Sequence, residues 1–252
     1  MVARGASQRT DPGRAVGLLI YGAEVTVTGE SVGAQTILDT RADLFDAILG
    51  LDGDLLHGHL LRYHDQYGSD SLVADILIPV LRHVGDMWES GKLGVLHEHH
   101  ASNIIRSVVG TFRRPAFTDK TAPAVILACP PGELHDLPNH LFSLMLLDRG
   151  LAPIVLGANT PWKALAAAAR STGCGACIVS GINPRLIRRY TTVLTTLNAT
   201  TPVLLAGPIT AHRIPGIRAL SNDWRQAATT VTTAATPHSP TSTTIKQPNT
   251  AV

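Results

Sequence analysis

Residues 129–138 read Cys-Pro-Pro-Gly-Glu-Leu-His-Asp-Leu-Pro, a loop rich in Pro and Gly with a carboxylate two residues before an imidazole. A loop imidazole can ligate a metal or exchange a proton. A nearby carboxylate that accepts the proton on one ring nitrogen fixes the tautomer and makes the other nitrogen a better donor of electrons. Glu133 and His135 have the spacing for such a pair. The competing reading is a plain helix start, with Asp136 as cap and His135 merely exposed. Two later stretches belong with this loop. Val-Ser-Gly-Ile (179–182) offers the small hydroxyl of Ser180 beside Gly181 and Ile182. Ala206-Gly207 offers a backbone that a flat ligand can approach closely.

Other groups of reactive residues are weaker. His97-Glu98-His99-His100 lacks the histidine at 101 that a metalloprotease helix needs, since Ala101 stands there. The histidines at 97 and 100 with Glu98 remain metal ligands only in isolation. Cys174 and Cys177 have the spacing of a redox pair but precede a strand rather than opening a helix, which favours buried filler. His57 and His59 read as helix-surface residues, Trp162 as a locally packed ring. Arg185, Arg188 and Arg189 read as one solvated helix face. Nothing resembles a Gly-rich phosphate loop.

The elements that must position these residues follow from hydrophobic period. From residue 40 to 113, apolar residues recur every three or four positions, in four stretches broken at Gly50–Gly53, Gly68 and Gly91. Short connections favour an antiparallel four-helix bundle, with a kink expected at Pro79. After a linker at 113–123 the pattern becomes strand-helix alternation, with buried strands at Ala-Val-Ile-Leu-Ala, Ala-Pro-Ile-Val-Leu, Cys-Ile-Val-Ser and Pro-Val-Leu-Leu-Ala. That alternation implies a parallel sheet covered on both faces. In such a sheet, ligands bind beyond the carboxyl ends of the strands. The Glu133–His135 loop, Ser180 and Gly207 all fall there. Residues 1–39 are poorly specified, residues 121–228 hold the α/β unit, and the Thr/Pro/Ser-rich 229–252 reads as a disordered tail.

The whole chain has 252 residues, 44% hydrophobic and 16% charged, with a net charge of +2. It is a globular composition without the basic footprint of an autonomous DNA binder. Three cysteines do not make a secreted disulfide framework, and no apolar run approaches the roughly 18 residues that span a bilayer. Residues 15–23 are too short, and too far behind polar residues, for a convincing signal peptide, and read as a packed element. A cytoplasmic protein is expected.

The three rim loops together resemble the cobalamin-binding domain shared by methionine synthase, corrinoid methyl-transfer proteins and cobalamin-dependent mutases. The family pattern is Asp-x-His-x-x-Gly, then Ser-x-Leu, then Gly-Gly. This chain has Glu133-Leu-His135-Asp136-Leu-Pro138, 41 residues, Ser180-Gly181-Ile182, 23 residues, and Ala206-Gly207. The resemblance implies a flavodoxin-like (Rossmann-like) parallel-sheet domain and His135 as the lower axial ligand of cobalt. Glu133 is then its supporting carboxylate, and Ser180 and Gly207 line the channel for the detached dimethylbenzimidazole tail. The chain departs from the pattern at Glu133, Pro138, Ile182 and Ala206, and Pro138 forbids the positive φ of the family glycine.

Trp88, nine residues, then Glu98-His99 resembles the helical cap of light-sensing, adenosylcobalamin-dependent regulators of carotenoid synthesis. In those proteins a four-helix bundle covers the upper corrin face, with Trp over the adenosyl group and Glu-His beside it. Light breaks the cobalt–carbon bond and an oligomer dissociates. The family histidine that follows the Trp is Glu89 here, so water or one of His97, His99 and His100 must replace it. The residues before the bundle show no basic helix pair like that family's DNA-binding helix-turn-helix. The resemblance thus implies a non-enzymatic adenosylcobalamin sensor and regulator, forming a homo-oligomer or acting through a protein partner, with no direct DNA binding. A corrinoid methyl carrier of a methyltransferase system is the alternative, and a plain cobalamin-storage module a third.

Overall fold

The computed structural model describes residues 32–113 and 121–236. The apolar segment at 15–23, most of the expected linker and residues 237–252 lie outside the described residues.

Four helical segments come first: α1 (Ala34–Leu49), α2 (Gly53–Ser71), α3 (Ile78–Glu89) and α4 (Val95–Phe112). Helix α1 begins ahead of the boundary expected at 40, because Ile37 already belongs to its buried stripe with Leu44 and Ile48. Asp52 caps α2 by accepting the Leu55 N–H at 2.9 Å. The break expected at Gly68 is present as φ 75°, ψ 178° inside the helix. The irregularity expected at Pro79 appears one turn earlier, as a π-helical turn over Leu72–Leu77. A proline nitrogen cannot bond the carbonyl four residues back, and its ring crowds that carbonyl. The widened turn relieves the crowding, and the Asp75 carbonyl accepts instead from the buried Arg41 Nε at 2.6 Å.

The second half runs β1 (Ala124–Ala128), α5 (Leu137–Leu147), β2 (Ala152–Gly157), α6 (Trp162–Thr172), β3 (Ala176–Ser180), α7 (Pro184–Arg188), α8 (Thr191–Asn198), β4 (Val203–Ala206), β5 (Arg218–Ala219) and α9 (Trp224–Ala235). The five strands are parallel in the order β2-β1-β3-β4-β5. This is the flavodoxin-like order, whose direction reverses between β1 and β3. Alternate strand residues face opposite layers. Val125, Leu127, Ile178 and Leu204 join a core with the four-helix region, α5 and α9. Ile126, Cys177, Val179 and Leu205 join a second core under α6, α7 and α8. Arg149 grips the Asp70 carboxylate at 2.6 and 2.9 Å, and Arg225 grips Asp75 at 3.0 and 2.8 Å, tying the bundle to the α/β layer.

Two local expectations are corrected. The tail expected from residue 229 is helical through Ala235. Asp223 caps α9 by accepting the Gln226 N–H, Ala228, Val231 and Ala235 form a buried stripe, and successive threonine hydroxyls donate to carbonyls one turn back. Polar composition hid that small-residue stripe. The single helix expected after β3 is interrupted at Tyr190 (φ −117°, ψ 13°), whose ring meets Trp162 at 4.9 Å. Helix α6 starts without a side-chain cap, and the hydroxyl of the preceding Thr160 turns back to the Gly157 carbonyl at 3.0 Å. Among the described residues, no helix is long and apolar enough to cross a membrane.

Candidate functional site

Both chain segments that leave the reversal point of the sheet, after β1 and after β3, carry expected site residues. The first is pinned to the turn after β2. Cys129 N–H donates to the Gly157 carbonyl at 3.0 Å, Asn159 N–H to the Glu133 carbonyl at 2.8 Å, and Gly132 N–H to Asn159 Oδ1 at 2.8 Å. A loop so anchored holds Glu133 and His135 in fixed relation to the sheet.

Glu133 is 2% exposed, and its carboxylate collects three donors. Oε1 accepts from His135 Nδ1 at 2.6 Å and from the His135 backbone N–H at 3.1 Å, while Oε2 accepts from the Ile182 N–H at 2.7 Å. Burial pushes this carboxyl up, but the bonds from the His135 ring, Ile182 N–H and His135 N–H outweigh it and hold the group below its ordinary value. The ionised carboxylate fixes His135 with its proton on Nδ1, leaving Nε2 as the electron-pair donor. The imidazole is 62% exposed at the side-chain level, so that donor is available to a ligand. A Cβ on Gly181 would lie 2.9 Å from Glu133 Oε2, so only glycine lets β3's exit pass this close to the carboxylate.

A cavity of about 390 Å³ opens beside His135. Its walls include Pro138, Ser180, Gly181, Ile182, Ala206 and Gly207 from the rim, with Phe142, Leu220 and Trp224 as apolar surfaces. Gly207 has φ 76°, and a Cβ there would stand 3.0 Å from the Gly181 carbonyl oxygen. Ser180 Oγ donates to Asn139 Oδ1 at 2.7 Å, and Asn139 Nδ2 donates to Cys129 Sγ at 3.3 Å. Burial pushes the Cys129 thiol up to about 11, against a lowering contact with Ser180. It is a neutral, fully buried group behind the Ser180–Asn139 pair.

Asp136 does not cap α5. Its carboxylate binds Arg106 at 2.9 Å and lies 3.6 Å from His140 Nε2, joining the loop to helix α4. Burial is the leading cause that holds His140 below its ordinary value, opposed by the Asp136 charge. Pro138 sits in the first turn of α5, where a missing N–H costs no helical bond.

The rim residues therefore come together, with His135, Ser180, Gly181, Ile182, Ala206 and Gly207 on one cavity and Glu133 immediately behind. Trp88, Glu98 and His99 do not line it. Trp88 is 49% exposed near the end of α3, and Glu98 pairs with His99 and accepts from Ser102 at the start of α4. Glu89 is exposed beside Trp88. Sequence reasoning missed Asn139, Arg82, Phe142 and Trp224. Asn139 carries no local signal, because its partner Ser180 lies 41 positions away. Cys174 and Cys177 are buried with sulfurs 3.7 Å apart in the second core, as filler would be.

Among the described residues, no cluster of three or more His, Cys, Asp or Glu side chains can hold a bare metal ion. A cobalt corrin would need only one donor from the protein, and the oriented His135 imidazole would supply it. The donor set fits that group, and the largely apolar cavity, walled in part by the buried Ser180–Asn139 pair, fits a heteroaromatic tail.

Comparison with known proteins points the same way. Residues 40–112 match the family model described as B12 binding domain. The match covers the helical part and not the His135 loop. The HTH-type transcriptional repressor CarH of Myxococcus xanthus is 33% identical over 87 residues, 34% of this chain and 29% of that protein. The HTH-type transcriptional repressor CarA of Myxococcus xanthus is 26% identical over 154 residues, 61% of this chain and 52% of that protein. The chain thus spans about half or less of the length of these relatives. The Methanosarcina barkeri monomethylamine corrinoid protein superposes with a TM-score of 0.64 at 15% identity, over 77% of this chain and 98% of that one. At that identity the likeness establishes the fold.

Proposed function

We propose that this protein binds cobalamin at the β1/β3 rim and acts as a cobalamin-dependent sensor and regulator, with adenosylcobalamin as the cofactor form and light as the signal. The observation that carries the reading is the His135 imidazole, clamped through Nδ1 by a buried carboxylate beside a cavity walled by Ser180, Gly181 and Gly207. The family match over 40–112 and the likeness to CarH and CarA support cobalamin and a regulatory role. When bound, adenosylcobalamin supplies a light-labile cobalt–carbon bond. His135 would hold the cofactor, Glu133 would keep the ring oriented, and Ser180, Gly181 and Gly207 would line the space for its tail. The Asp136–Arg106 pair links that loop to α4, the helix that carries Glu98 and His99. Trp88, Glu98 and His99 are proposed to face the upper ligand, with the output passing through a change in self-association or a protein partner.

The test is the visible spectrum of the protein with adenosylcobalamin before and after green light, with size-exclusion chromatography of both samples. Native protein is expected to give a histidine-bound spectrum that changes on illumination, and His135→Ala to lose it. A native spectrum equal to that of free cofactor would remove the proposal.

A methyl-carrier role is the second reading. It is favoured by the exposure of Trp88, since a carrier needs an accessible upper face. Preference for methylcobalamin, with methyl transfer to a thiol acceptor in the presence of a methyltransferase, distinguishes it.

A further inference from the structure

The near-neutral net charge hides a segregation of sign. From residue 149 to 222 the chain carries eight Lys and Arg and no Asp or Glu. Residues 34–112 carry eleven Asp and Glu against five Lys and Arg. The fold turns this sequence asymmetry into a surface. Helices α6, α7 and α8 and the short turn at Pro208–Ala211 pack together over the second core, on the sheet face away from the helical bundle. Lys163, Arg170, Arg185, Arg188, Arg189 and Arg213 are all exposed on that layer. Arg185 lies one turn before Arg188 and Arg189. The Pro208–Ala211 turn that leads to Arg213 packs on α7, and Thr191 Oγ1 lies 3.5 Å from His212 Nε2. The carboxylates just before this stretch are engaged elsewhere: Glu133 is buried at the rim, Asp136 holds Arg106, and Asp148 accepts from Ser69 of α2. Among the described residues, none of the six cations has a carboxylate within 4.0 Å.

We propose that this layer is a docking surface for duplex nucleic acid, held through the phosphate backbone around Arg185, Arg188, Arg189 and Arg213. Guanidinium groups bind phosphate oxygens in pairs, and a backbone of evenly spaced charge needs no apolar anchor. An acidic protein does need one, because the core of a protein interface is apolar or aromatic. Val193 is the one large hydrophobic residue exposed in α6–α8. A single strand would need aromatic platforms for its bases. The two aromatic rings of this layer, Trp162 and Tyr190, are set against each other at 4.9 Å. The acidic bundle on the opposite side repels phosphate and orients the encounter. The surface is sequence-independent in character, which distinguishes it from a recognition helix in a groove, and it revises the expectation of no direct DNA contact. It does not depend on cobalamin binding.

The test is fluorescence anisotropy of the full chain with a labelled 20-base-pair duplex of arbitrary sequence between 50 and 200 mM salt. Four phosphate contacts predict a log–log slope of about −3.6, a fall of about 150-fold in affinity over that range. The triple variant R185E/R188E/R189E is expected to lose binding. The neutral variant R185Q/R188Q/R189Q is expected to flatten the slope to about −0.9, and serves if the charge reversal fails to fold. Absence of binding at 50 mM salt, or undiminished binding by a folded variant, overturns the proposal. Displacement of the duplex by poly-glutamate of equal total charge at equal concentration overturns it too, and assigns the surface to an acidic protein.

Discussion

Replacing Glu133 by glutamine perturbs the site at the atom that everything else leans on. Three N–H groups meet the native carboxylate, two on Oε1 and one on Oε2. A glutamine has one acceptor oxygen, so its NH2 must face either the Ile182 N–H or the pair from His135. An unsatisfied buried donor costs about 1–3 kcal/mol, which sets the expected loss of stability in the cofactor-free protein. Removing the anion from behind a ligating histidine weakens metal binding typically 10–100-fold, about 1.4–2.7 kcal/mol. Titration of adenosylcobalamin followed by its visible spectrum, with chemical denaturation of the cofactor-free protein, measures both quantities. The pH dependence supplies a third signature. Despite its burial, the Glu133 carboxyl is held below its ordinary value, so the unfolded chain binds its proton more tightly than the folded one. Its stabilising contribution is whole above the unfolded carboxyl value of about 4.3 and is lost as pH falls through the lower folded value. E133Q should lack that part of the acid limb. An E133Q protein with native affinity and a native histidine-bound spectrum would refute the orienting role. A loss of stability alone would leave the carboxylate as a purely structural clamp.

Gly181→Ala should cost about 1–3 kcal/mol by overpacking and abolish cofactor uptake, because the new methyl falls 2.9 Å from Glu133 Oε2 and 3.2 Å from Ile209 Cγ2. Denaturation and cofactor titration check both. Truncation after residue 228 should destabilise the chain by at least the roughly 1.5–3 kcal/mol of burying Val231. Truncation after 236 keeps the whole of α9 and serves as the reference, and equal melting of the two would contradict the packed α9. Cys129, buried with its thiol pushed up to about 11, should resist iodoacetamide at pH 8 in the folded protein and react once the chain is unfolded. Mass spectrometry of the alkylated protein decides this.

Much of the rim was legible because it is local. Glu133 and His135 are two residues apart, so their spacing alone allows the carboxylate to reach the ring. The small residues at Ser180, Gly181 and Gly207 sit at ends of buried apolar runs, and runs of that kind form parallel strands whose carboxyl ends carry sites. The second wall of the cavity was not legible. Asn139 reaches Ser180, and Trp224 reaches Phe142 with rings 5.6 Å apart, only because α5 and α9 lie over the same sheet face. The second half of α9 escaped notice because alanine and threonine carry little hydrophobic signal, although three Ala and one Val on one side suffice to pack.

The sequence by itself determined where most of the helices and strands fall, that the sheet is parallel, and that an imidazole with a carboxylate partner stands at its rim. Those features follow from hydrophobic period and from spacings of a few residues, which the backbone converts directly into geometry. Tertiary structure alone decided the strand order, the closing wall of the cavity and the gathering of the cations on one layer. It also decided that Trp88 stands apart from the His135 cavity. Each of these depends on contacts between residues far apart in the chain, and no local pattern encodes which distant surface a helix will meet.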